Sequence, residues 1–97
     1  MSSKPPRMSR ALAEEIAVAA LGYIASDPRL LERFLSLSGI DPAEIRSAAS
    51  DEGFLGGVLA FVMEHEAVLV ALASGTGSDP AEIAAAAALL APPEPRG

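Results

Sequence analysis

The chain has no cysteine and no tryptophan, and one tyrosine and three phenylalanines supply all its aromatic rings. Without cysteine there are no disulfides and no thiolate metal sites, and nothing points to an oxidising compartment. Cations are scarce: seven Lys and Arg stand against thirteen Asp and Glu, for a net charge of −6. That balance disfavours a general role on nucleic acid, where affinity comes from Lys and Arg on phosphates. Long apolar runs are missing too. One uncharged apolar stretch, Gly53 to Met63, ends at Glu64-His65-Glu66. It falls short of the ~20 residues that a membrane span needs. Met1 to Arg10 lacks the apolar block of a secretory signal. A cytoplasmic protein with no membrane segment is the expectation.

No catalytic motif, metal-ligand cluster or nucleotide loop is present. The sequence therefore assigns no catalytic, cofactor-binding or metal-ligating residue, and no cofactor or small-molecule ligand is expected. What is present is helical grammar. The pentapeptide Asp41-Pro42-Ala43-Glu44-Ile45 returns letter for letter as Asp79-Pro80-Ala81-Glu82-Ile83. Aspartate caps a helix by accepting from the free N–H groups of its first turn. Proline suits the next position, where no N–H is needed. Glutamate three residues after the cap reaches back to complete a capping box. Gly39 and Gly77, two residues before each cap, suit the left-handed stop of a preceding helix.

The correspondence runs further. A shift of 38 residues pairs Leu21 with Leu59, Tyr23 with Phe61, Leu31 with Leu69 and Phe34 with Leu72. Apolar positions keep their phase, which points to two related three-helix units over about 11–50 and 52–91. Two copies are too few for a solenoid. The fold class expected is all-α, a compact bundle of five to six short helices. The domain spans 10–91, between a basic arm over 1–9, expected to be disordered, and a proline-rich tail over 92–97.

Six helices are expected within the domain. Ser9 caps the first, over about 10–25. Leu12, Ile16, Ala19, Tyr23 and Ala13, Ala17, Ala20, Ile24 form two adjoining apolar stripes, with Val18 and Leu21 outside them. Asp27-Pro28 starts the second, which ends at Ser38. There Leu30, Leu31, Phe34, Leu35 and Leu37 face inward. A short third helix over 42–49 buries Ile45, Ala48 and Ala49. Asp51 caps the fourth, over 52–63, built on Phe54, Leu55, Val58, Leu59, Phe61 and Val62. Gly56 and Gly57 inside it cost roughly 1 kcal/mol each relative to alanine. A close helix crossing is expected to account for one of them. After a junction at Glu64-His65-Glu66, a fifth helix covers 66–74. Ser74 to Ser78 reads as a flexible loop. Asp79 caps the sixth, over 80–91, whose Ala84–Ala88 run offers little to pack. Ile83, Leu89 and Leu90 must anchor it. Asp41 is expected to be the more important of the two repeated caps, because the last helix can fray alone.

Several side chains invite a chemical reading and lose it on geometry. His65 lies between Glu64 and Glu66, but consecutive helical residues diverge, and zinc needs three or four converging ligands. Asp41/Glu44 and Asp79/Glu82 resemble carboxylate pairs, yet capping accounts for type and spacing. Gly75-x-Gly77 precedes a helix but lacks the lysine of a phosphate loop, and Asp79 stands where the phosphate would sit. Helices 2 and 3 are arranged like a helix-turn-helix. The reading helix would offer Arg46, Ser47 and Ser50 beside Glu44 and Asp51, a poor match to DNA. From Ala67 to Ala91 the charges are Asp79 and Glu82 alone. A domain this small cannot bury six helices on every side, so an exposed apolar face that includes Val18, Val70 and Leu90 is expected. Such faces mark partner sites.

The runs Arg33–Arg46 and Phe54–Val62 together resemble a small all-helical domain-of-unknown-function family found in alphaproteobacteria. The resemblance covers about residues 10–91 and rests on apolar and capping positions. It implies a bacterial cytoplasmic setting and brings no activity, cofactor or catalytic residue. It also implies acidic residues near Ala60 and His65, where this chain departs. Taken together, the expected function is that of a non-enzymatic interaction module. Its apolar face would serve a protein partner or a second copy of the chain. The alternative is a nucleic-acid-associated protein using the arm and Arg7, Arg10, Arg29, Arg33 and Arg46.

Overall fold

A computed structural model of the protein describes residues 8–91. The arm before Met8 and the tail after Ala91, with Arg7 among them, lie outside the described residues. Within them the chain is helical and no strand occurs. α1 covers Arg10–Ala25, α2 Pro28–Ser38, α3 Ile45–Ala48, α4 Glu52–Glu64, α5 Glu66–Thr76 and α6 Pro80–Leu90. A 3-10 turn, Pro42–Glu44, leads into α3.

The capping signals set the starts. Ser9 Oγ accepts from Leu12 N–H at 3.0 Å, and Asp27 accepts from Arg29 and Leu30. Asp51 accepts from Gly53 N–H at 3.0 Å. Gly39 and Gly77 end α2 and α5 with φ of 73° and 74°, the left-handed region where a side chain is strained. Shifted by 38, α2 coincides with α5 end for end. The repeat is thus visible in local structure as well as in letters.

The third elements diverge. α6 is eleven residues long, and α3 is a single four-residue turn. Where α6 carries Ala84, Ala85 and Ala88, the first unit carries Arg46, Ser47 and Ser50. The serine hydroxyls donate back to local carbonyls, Ser47 to Glu44 and Ser50 to Ser47. That bonding favours turns over helix propagation. Asp79 and Glu82 form the full capping box, with Asp79 N–H donating to Glu82 Oε1 at 2.9 Å. Asp41 makes only its own half, accepting from Ala43 N–H at 3.0 Å. Ile45, Ala48 and Ala49 are half-buried, not core.

The centre is built by α1, α4 and α6, which pack on one another more extensively than any other elements do. α1 presents Ala13, Ala17, Ala20 and Ile24, all fully buried. Alanine at three of those four positions brings the neighbouring backbones close, since interhelix distance is set by the side chains at the contact. The other expected stripe is mostly open: Leu12 and Ala19 are exposed, Ile16 and Tyr23 half-buried. Leu21 is buried although both stripes omit it, because α1 is covered by α2, α4, α5 and α6. On α6, Ile83 and Ala86 are fully buried and Leu90 nearly so. The alanine run therefore packs by being small.

α4 crosses α6 at Gly56. A Cβ there would land on the Leu90 carbonyl oxygen, well inside contact distance, whereas one at Gly57 meets nothing within 4 Å. One glycine is required by a crossing and the other is not. α5 leaves α4 at an angle of 109°. It runs on to Thr76 through the stretch expected to be a loop, and Thr76 Oγ1 donates to Leu72 O at 2.8 Å. Among the described residues no single helix is long and apolar enough to cross a membrane. Arg10 and Glu52 form an exposed ion pair that joins the starts of α1 and α4.

Two predictions follow from these differences. Asp79→Ala should cost ~1–2 kcal/mol and Asp41→Ala about half as much or less in urea unfolding. The order expected from the sequence inverts, because Asp79 starts a core helix and Asp41 a half-exposed turn. Equal losses would count against this account. Gly56→Ala should destabilise by ~1–3 kcal/mol through overpacking. Gly57→Ala should stabilise by up to ~1 kcal/mol through helix propensity, and paired thermal melts would show opposite shifts.

Candidate functional site

All three phenylalanines meet at one place. Phe34 of α2 stands edge-on to Phe54 and to Phe61 of α4, with centroids 5.8 and 5.4 Å apart and interplanar angles of 73° and 78°. Edge-to-face pairs of this kind add ~0.5–1.5 kcal/mol each beyond their burial. The period of α4 puts Phe54, Gly57 and Phe61 on one side (i, i+3, i+7). α2 lies against that side. Phe34 is buried, Phe61 nearly so, and Phe54 half-buried.

The rings form the floor of an open groove of about 520 Å³ between α2 and α4. Gly57 and Ala60 leave it wide, and Leu37 stands at its lip. Leu37 is 65% exposed, against an expectation of burial. It lies one turn beyond Phe34, on the same stripe, but α2 ends at Ser38 and nothing covers it. The polar contribution is slight: Ser38 and Glu64 are the polar side chains in the lining.

His65 sits at the far end of the aromatic row. Its ring stacks on Phe61 with centroids 4.3 Å apart, and its Nδ1 lies 2.8 Å from Phe61 O. A carbonyl only accepts, so Nδ1 donates. The imidazole therefore caps one of the last carbonyls of α4 at the bend into α5. The junction falls where the sequence places it, and the ring is half-buried against Phe61. Among the described residues no group of three or more His, Asp or Glu side chains converges as metal ligands would.

The expected apolar face divides. Val18 is 49% exposed on α1 and Val70 56% exposed on α5, as expected, but Leu90 is 3% exposed beneath α4. The charge-poor segment Ala67–Ala91 spends its apolar side chains inside, with Val68, Leu72, Ala73, Ile83, Ala86 and Leu90 all buried. The larger open apolar feature lies instead between α2 and α4. Its signal was present in the spacing of Phe54, Gly57, Ala60 and Phe61, but the sequence alone assigned the bulky members to the core. The arginines are scattered: Arg10 is paired with Glu52, Arg29 and Arg33 are exposed on α2, and Arg46 is exposed on α3.

The groove's floor and lip should differ sharply in energy. Phe34→Ala should cost ~3–5 kcal/mol, as a buried aromatic. Leu37→Ala should stay within ~0.5 kcal/mol, as a surface change. A costly Leu37→Ala in urea unfolding would mean that the lip is covered.

Comparison with curated proteins and with solved structures returns no match. A family model described as "Protein of unknown function (DUF3572)" matches residues 10–93. That span takes in every helix of the fold and both walls of the groove, and the chain belongs to this family.

Proposed function

We propose that the domain is a non-enzymatic interaction module that holds a protein partner through the groove between α2 and α4. One observation carries this reading: Leu37, 65% exposed, stands over a groove of about 520 Å³ floored by every phenylalanine in the chain. Exposed apolar concavities of this kind mark binding sites. The lining brings one carboxylate and one hydroxyl to apolar walls. It suits the burial of a side chain better than the movement of a proton.

The test uses Leu37→Asp, which places a charge at the lip without touching the core. Sedimentation velocity over a concentration series, at low and high salt, reads self-association. Crosslinking with mass spectrometry in native extract reads association with another protein. A complex that survives salt and is lost in Leu37→Asp, with the thermal melt unchanged, is the expected result. Association indifferent to Leu37→Asp, or none at all, would overturn the reading. Loss of all association in high salt would favour the exposed arginines and a nucleic-acid partner instead.

A further inference from the structure

The α2–α4 groove has a counterpart within the same molecule. A smaller cavity of about 200 Å³ between α1 and α5 is bounded by Glu15, Ile16, Ala19, Leu72 and Thr76. Shifted by 38 residues, these become Gly53, Phe54, Gly57, Phe34 and Ser38, and all five line the α2–α4 groove. The cavities differ in what enters them. The smaller one takes part of its wall from α6, whose Ile83 lines it and is fully buried. The counterpart of Ile83 is Ile45, which lies in a separate hollow along α1 with Val18 and Leu21. Among the described residues no helix other than α2 and α4 lines the α2–α4 groove, whereas α6 lines its sister.

Charge narrows the occupant. Glu64 is the only charged side chain in the groove, and among the described residues the one ion pair joins Arg10 and Glu52 instead. The whole chain carries −6. Ala67 to Ala91 contains no Lys or Arg, so α6 of a second copy would bring no cation to Glu64.

We infer that the α2–α4 groove receives a short helix from a partner protein, one that inserts an Ile or Leu and carries a Lys or Arg at one end to pair with Glu64. The inference rests on the reading of the groove as the interaction site and specifies what fills it.

The probe is a fluorescent peptide of residues 79–91, the chain's own cavity-lining helix, extended at its C-terminus by two lysines. A second peptide ends in two glutamates. Fluorescence anisotropy should show saturable binding of the lysine peptide, with the glutamate peptide about two- to fivefold weaker at low salt. High salt should erase that difference, and Glu64→Gln should reduce it. Gly57→Leu should abolish binding of both, because it fills the groove from a position where a side chain has open space. Equal binding of the two peptides, lost in Gly57→Leu, would overturn the cationic partner and leave the groove as the site. No binding of either peptide, with a dimer that dissociates in Gly57→Leu, would make the occupant a second copy. No binding and a monomer at all concentrations would overturn both readings.

Discussion

Everything in this fold depends on how closely α4 can approach α6. The crossing is fixed at Gly56, where the missing Cβ makes room for the Leu90 carbonyl. Once that contact is made, Leu90, Ile83 and Ala86 are carried into the centre, and α1 closes on them through Ala13, Ala17 and Ala20. Small residues make poor hydrophobic contacts singly, since burial stabilises in proportion to area. They contribute here by letting larger neighbours such as Ile24, Leu59 and Ile83 reach full burial. Close-packed interiors penalise even one added methyl group. The short alanine-rich helix at the end of the chain is therefore part of the core, and its cap matters more than its position suggests.

The local signals in the sequence were strong. Five Asp or Ser caps and two glycine stops mark helix ends in the right places, because capping is decided by the few residues around each terminus. α1, α2 and the start of α6 follow directly. The letters were weaker wherever burial depends on a distant partner. Leu37 and Phe34 share one helix stripe, yet one is exposed and the other buried. Leu90 reads both as an anchor of the last helix and as part of an exposed face until α4 is placed over it. The twin pentapeptides look equivalent, but serines in one copy and alanines in the other decide which becomes a full helix. The groove was not legible for the same reason. Its apolar residues are all ordinary core types, and only the lack, among the described residues, of a third helix over α2 and α4 turns them outward.

That lack has a cost that the fold itself does not recover. Gly57 sits in the interior of α4 at ordinary helical geometry, and no atom lies where its Cβ would be. In such a position glycine gives up roughly 1 kcal/mol relative to alanine. Gly56, one residue earlier, repays the same loss by admitting α6, and Gly57 has no such return inside the described fold. Its sister position is Ala19, on the wall of the cavity that α6 also lines. The unit whose cavity α6 helps to wall thus carries a side chain there, and the unit whose groove lacks a third helix among the described residues carries none. A bare Gly57 beside an uncovered Leu37 makes physical sense if another molecule supplies the contacts that α6 supplies in the sister unit. The stability missing from the free domain would then appear as binding energy at the groove.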